Sequence, residues 1–237
     1  MSTLYQSLAI ILAPTAAYSF LLLMLVHYKG QICAGQRSRL SQQFATLWSL
    51  SSLGLVSTLV AERHAWVIIT LLGLSVVIGW ILSIRQLRLA GKRTLDSRIW
   101  WLSGAPLILA SLIISITHPY SILAMLLAAL AVTHWVMVKA KHRLSAFDRI
   151  LPICAIAVLA LTVCLCALQI YQYGEQPLLG ELTRKFIHLV GFSLAGMLIW
   201  LLPLLKDMEP TAGQLGATSL SLIIAGIAVT ELQFLLQ

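Results

Sequence analysis

Long, continuous apolar runs separated by short polar segments dominate the chain. Such runs are typical of membrane-spanning helices, whereas strands of a membrane β-barrel alternate apolar and polar residues. A helix needs about 20 mostly apolar residues to cross the hydrocarbon core. The pattern predicts eight of them, at about residues 5–28, 43–61, 65–84, 99–117, 121–138, 150–171, 186–205 and 216–235. The connections are too short for another domain, so residues 1–237 are predicted to form a single transmembrane helical bundle.

Composition leads to the same fold class. Apolar types make up 59% of the 237 residues and charged types 10%, whereas soluble domains average about 25% charged residues. This excludes a soluble globular protein and a disordered chain. The four cysteines have neither metal-ligand nor disulfide spacing, so no metal site is predicted. We therefore predict an all-α, polytopic membrane protein.

The basic residues occupy alternate loops. One set of loops carries Lys29, Arg37, Arg39, Arg85, Arg88, Lys92, Arg93, Arg98, Lys139, Lys141, Arg143, Arg149 and Lys206. The other set carries only Arg63, Arg184 and Lys185. The positive-inside rule then places the first set in the cytoplasm and both termini outside, in the periplasm. This predicts a multi-pass protein of the bacterial inner membrane, and it explains the net charge of +8 without nucleic acid as a partner.

Ionisable residues near the predicted outer face are the best functional candidates, because such groups are costly at a membrane. Oxidation of a quinol releases two protons, which histidines and carboxylates near water can accept. The predicted quinol-binding residues are Arg63, His64, His118, Arg184, His188 and Glu231, and those predicted to dock a partner are Glu62, Glu181 and Lys185. Positions 181, 184, 185 and 188 are spaced to share one helix face. The alternative is interfacial snorkelling with ordinary ion pairing.

The positions of the histidines and tryptophans suggest two further hypotheses, haem ligation and anchoring at the membrane interface. A b-type haem needs two axial histidines at one depth. By depth, His27 could pair with His134, and His64 with His118 or His188, although no spacing signature supports either pair. Tryptophans near the ends of the spans are predicted to anchor the helices at the membrane interface; they are Trp48, Trp66, Trp100, Trp101 and Trp200.

No catalytic motif is present. The chain has no phosphate-binding glycine loop, no G-x-S-x-G nucleophile elbow and no H-E-x-x-H pair. No catalytic residue is therefore assigned, and whether the chain is an enzyme stays open.

Four short segments carry a resemblance to a known family. They are residues 198–206 (LIWLLPLLK), 222–226 (LIIAG), 151–153 (LPI) and 29–30 (KG). With eight spans and an outer polar cluster, the chain resembles a divergent, shortened member of the DmsC-type membrane anchor subunits of bacterial DMSO reductases. That family carries a histidine after its second helix, where this chain has Ala61, and His64 follows three residues later.

The resemblance implies a role in anaerobic respiration. Such anchors hold a periplasm-facing molybdenum catalytic subunit and an iron–sulfur subunit, and they pass electrons from menaquinol to the iron–sulfur subunit. It thus implies menaquinol as the bound cofactor, no covalent cofactor, no haem, and molybdenum and iron–sulfur clusters in the partners only. Two alternatives stay open. One is a non-redox structural or assembly subunit. The other is a stand-alone lipid enzyme or transporter, since residues 184–188 (RKFIH) resemble the R-K-x-x-H stretch of polyprenol and phytol kinases.

Overall fold

A computed structural model describes residues 2–30, 32–61, 65–89, 94–141, 145–172, 179–206 and 208–236. Within these ranges the regular structure is helical and contains no β-strand, which confirms the predicted all-α class. The helices are α1 (Ser2–Lys29), α2 (Ala34–Gln42), α3 (Ala45–Ala61), α4 (Trp66–Arg88), α5 (Trp101–Thr117), α6 (Ile122–Lys139), α7 (Ser145–Gln172), α8 (Leu179–Leu205) and α9 (Ala212–Leu235). A short 3-10 turn, Pro119–Ser121, precedes α6.

The eight predicted spans correspond to α1 and α3 to α9. Among the described residues, seven helical segments are long and apolar enough to cross a membrane, and one of them combines α2 with α3. The remaining span, α5, has 17 residues, the lower end of the crossing range of about 17–25 residues. The sequence pattern did not predict α2, because this short helix is mostly polar.

Side-chain contacts define two ends of the bundle. At the basic end, Trp101 of α5 contacts Tyr28 of α1, and Lys139 of α6 contacts Thr46 of α3. At the other end, which we call the opposite end, Ser121 bonds Gln233 of α9. Helix α1 begins at this end and helix α9 finishes there. The two termini therefore share one end of the bundle, as an even number of spans requires. That this end faces the periplasm stays a prediction.

Helices α1, α6 and α9 form the centre of the bundle. In the most apolar 18-residue stretch of each helix, 78% of residues are buried in α1, 72% in α6 and 61% in α9. The corresponding value is 28% in α4 and in α7. Small residues bring the central helices close together, because without bulky side chains the backbones can approach. Ser19 of α1, for example, donates a hydrogen bond of 3.1 Å to the carbonyl of Ala129 in α6.

A cluster of aromatic rings packs the half of the bundle near the basic end. Phe44 lies edge-on to Trp100, with ring centroids 4.8 Å apart, and Phe20 contacts Trp48 and Trp101. The interface-anchor prediction is therefore wrong for Trp48, Trp100 and Trp200, which are fully buried. Of the five predicted anchors, Trp66 and Trp101 are the two that are exposed as anchors would be. The three buried rings face neighbouring helices. The sequence shows that a tryptophan lies near a helix end, but it does not show whether the ring points toward lipid or toward another helix.

Candidate functional site

The end of α5 positions His118 at the opposite end. Helix α5 stops there because His118 adopts a non-helical backbone, with φ −127° and ψ 63°, and Pro119 starts the following 3-10 turn. The imidazole lies edge-on to Phe234 of α9, with ring centroids 6.1 Å apart. The turn is tied to α9 by a buried hydrogen bond of 2.7 Å from Ser121 to Gln233. The bundle therefore holds the ring in a defined place.

His118 forms part of the wall of a cavity of about 190 Å³ between α1, α3, α4 and α5. The lining is mostly apolar, with a few polar groups, and consists of Gln6, Ala9, Ile10, Thr58, Ile68, Ile114, Thr117 and His118. A mostly apolar concavity with convergent polar groups is the usual form of a small-molecule site. Of the predicted quinol residues that the structure describes, only His118 lines this cavity.

The two threonines of the cavity present acceptor oxygens. The Thr58 hydroxyl donates its hydrogen to the carbonyl of Gly54 at 2.8 Å. The Thr117 hydroxyl donates to the carbonyls of Ile113 and Ile114, at 3.1 and 2.9 Å. A hydroxyl has one hydrogen and two lone pairs, so both oxygens can still accept a hydrogen bond. The cavity therefore suits a ligand that donates hydrogen bonds.

Lys185 and Glu231 form an ion pair between α8 and α9, with Nζ and Oε2 2.5 Å apart. Each side chain is about one-fifth exposed, Lys185 at 21% and Glu231 at 20%. The pair joins a predicted docking residue to a predicted quinol residue. Its charges compensate each other at a depth where either alone would be costly. This pairing gives the acidic residue near the end of α9 a structural role.

The other charged residues at the start of α8 face outward. Arg184 pairs with Glu181 at 3.3 Å, and both are exposed. His188 is exposed as well, and among the described residues its ring contacts Phe192 of its own helix, with 6.5 Å between centroids. The expected single face is thus divided, because Lys185 turns toward α9 while the other three face away from the bundle. The predicted residues Glu62, Arg63 and His64 lie outside the described residues.

A hydrogen-bonded chain near the basic end is the polar feature that sequence reasoning missed. Trp200 of α8 donates to Nδ1 of His134 at 2.8 Å, and Nε2 of His134 lies 3.0 Å from Asp148 of α7. An indole N–H can only donate, so Nδ1 accepts and Nε2 carries the hydrogen that bonds Asp148. The signal that could have found this chain is Asp148, a single acid next to a basic loop.

This hydrogen-bonded chain of side chains contradicts the hypothesis that His27 and His134 are the two axial ligands of a haem. Both ring nitrogens of His134 already have partners, so the ring offers no lone pair to a metal. His27 packs instead against Phe44 and Tyr28, and within the described part of the chain its buried ring nitrogens have no hydrogen-bond partner. In the same ranges, no group of three or more histidine, cysteine or acidic residues is placed to hold a metal ion.

Comparison with known proteins establishes the class of protein. A family model described as an integral membrane domain matches residues 6–225. The chain therefore belongs to this family and is an integral membrane protein with several apolar helices. Comparison with curated proteins and with solved structures gives no match.

Proposed function

We propose that the chain is a membrane anchor subunit that binds menaquinol and passes its electrons to an iron–sulfur subunit of a molybdoenzyme complex of the DMSO reductase class. The complex would lie in a bacterial inner membrane, with the opposite end toward the periplasm. The observation that supports this proposal is the cavity lined by His118. The segments resembling DmsC-type anchors motivate the choice of partners.

The cavity has the chemistry that a quinol headgroup requires. A quinol carries two hydroxyl groups that donate hydrogen bonds, and the oxygens of Thr58 and Thr117 can accept them. His118 lies in the wall of the same cavity. Its volume of about 190 Å³ is too small for a whole isoprenoid quinol, since pockets for drug-sized ligands measure about 300–1,000 Å³. The headgroup would therefore enter the cavity while the tail stays in the lipid.

Oxidation of the bound quinol yields a quinone, two protons and two electrons. His118 would take up one proton from a quinol hydroxyl and release it to water at the opposite end, as a histidine acting as a general base does. The second proton leaves through water at the same end. The iron–sulfur subunit of the proposed complex would accept the two electrons.

The first experiment is a mild-detergent pull-down of the tagged chain, with mass spectrometry and molybdenum and iron analysis of the eluate. We expect a molybdenum-containing subunit and an iron–sulfur subunit. An eluate with this chain alone and no metal would contradict the anchor proposal and favour a stand-alone lipid enzyme or transporter.

The second experiment locates the site within the assembled complex. We expect His118→Leu to lower menaquinol-dependent reduction by about 100-fold, the low end of the effect of losing a general base. Reduction driven by an artificial donor to the iron–sulfur subunit serves as the control and stays unchanged. Arg184→Ala and His188→Ala test the residues predicted from sequence alone. If all three variants keep full menaquinol-dependent activity, the site is not at the opposite end; if only the last two lose it, the quinol binds beside α8 instead.

A further inference from the structure

A second concave surface lies at the basic end, far along the bundle from the His118 cavity. It is a groove of about 520 Å³ between α1 and α5, lined by Leu21, Met24, Leu25, Tyr28, Lys29 and Trp101. Residues 21, 25 and 28 are three or four apart, so they form one stripe along α1. The stripe is apolar toward the bilayer centre and polar only at its last turn. This order matches a lipid, with a hydrocarbon chain inside and a polar head at the interface.

The polar part of the groove offers hydrogen-bond donors. The indole N–H of Trp101 donates to Oη of Tyr28 at 3.2 Å. The phenol hydrogen of Tyr28 has no acceptor among the described residues and stays available to a ligand. Lys29 is exposed, and its ammonium group forms no ion pair with a described residue. A phenol O–H beside an ammonium group complements the oxygens of a phosphate.

Packing behind the groove holds its aromatic wall in place. The ring of Trp101 lies edge-on to Phe20, with centroids 5.7 Å apart and planes at 86°. Gly104 makes this contact possible, because a Cβ at that position would overlap the Phe20 ring. The Tyr28–Trp101 hydrogen bond is thus anchored to the core of the bundle. A further exposed cation, Arg98, lies one turn before Trp101.

We propose that this groove binds one anionic phospholipid. An acyl chain lies along Leu21 and Leu25, and the phosphate accepts hydrogen bonds from Tyr28 and Lys29. A zwitterionic lipid would add an ammonium group, but none of the described residues that line the groove carries a carboxylate to receive it. An anionic headgroup such as phosphatidylglycerol avoids this mismatch and gains from the nearby cations. The inference does not depend on quinol binding.

Native mass spectrometry of the purified full-length chain tests the proposal, with phosphatidylglycerol and phosphatidylcholine of equal chain length as the two probes. We expect one phosphatidylglycerol to be retained more tightly than phosphatidylcholine. Lys29→Gln should weaken phosphatidylglycerol binding about fivefold, the effect of one basic residue at a lipid surface. Lys29→Arg should restore it, and Tyr28→Phe should weaken it by a smaller factor.

Lys206→Gln is the matched control. Lys206 is an exposed cation just after α8, at the same end of the bundle but outside the groove. Its loss changes the net charge equally and should leave phosphatidylglycerol binding unchanged. Equal losses in the Lys29→Gln and Lys206→Gln variants would overturn the proposal, since they would indicate general attraction to the basic end. Unchanged binding in Lys29→Gln, with the variant eluting from size exclusion as wild type does, would also overturn it.

Discussion

His134 and His188 show how differently the two ends of the bundle use the same side chain. Near the basic end, His134 is buried, and both ring nitrogens are bonded, one by Trp200 and one to Asp148. At the opposite end, His188 is exposed, and its one ring contact with a described residue is with Phe192 of its own helix. A buried polar group is costly unless its bonds are made, so the first ring is part of the fold. The second ring contributes little to the fold and is free to serve a partner.

Breaking the buried chain should have the largest effect on stability. His134→Leu leaves the indole N–H of Trp200 and the carboxylate of Asp148 without their partner. We expect the free energy of unfolding to fall by about 3 kcal/mol, since an unsatisfied buried group such as the indole N–H costs about 1–3 kcal/mol and the partly buried carboxylate loses its partner as well. Titration of the detergent-solubilised protein with a denaturing detergent measures it.

His188→Leu provides the comparison, because it makes the same substitution at an exposed position. It should change the free energy of unfolding by no more than about 0.5 kcal/mol. Similar losses of unfolding free energy in the two variants would show that the hydrogen bonds of His134 stabilise the protein no more than an exposed histidine does.

Two glycines of α4 test the packing of the aromatic cluster. Gly79 lies against the fully buried Trp48, and an added Cβ would overlap the indole ring. Gly79→Ala should therefore lower the free energy of unfolding by about 2 kcal/mol, as overpacking does. At Gly73, in the same helix, an added Cβ would have no atom of a described residue within 4 Å apart from its own stretch of helix backbone. Gly73→Ala should leave stability unchanged or raise it by up to about 1 kcal/mol, and equal destabilisation by both would contradict the packing described for Gly79.

The ion pairs of the opposite end should show the smallest effects. Glu231→Gln removes the partner of the partly buried Lys185, and we expect a loss of about 1 kcal/mol. Glu181→Gln breaks the exposed pair with Arg184 and should cost at most about 0.5 kcal/mol. The same unfolding titration measures both variants. A larger loss for Glu181→Gln than for Glu231→Gln would contradict the burial difference between the two pairs.

The crossing helices and their order could be predicted from the apolar runs, because each run carries its own length and hydropathy. The polar contacts could not. His134 and Asp148 lie in different helices, and Trp200 is a further helix along the chain, so no local spacing relates them. Likewise, Trp100 and Trp101 are neighbours in sequence, yet the first is buried and the second borders the groove between α1 and α5.

The sequence by itself determined the membrane class, the eight apolar helices and the concentration of cations at one end. Hydrophobic length and loop charge are local properties, and the bilayer responds to them helix by helix. Only the tertiary structure decided which histidine borders a cavity, which is enclosed and which is exposed. Those outcomes depend on the rotation of each helix against its neighbours. In lipid, packing and interhelical hydrogen bonds set that rotation, because hydrophobicity does not distinguish a neighbouring helix from a lipid chain.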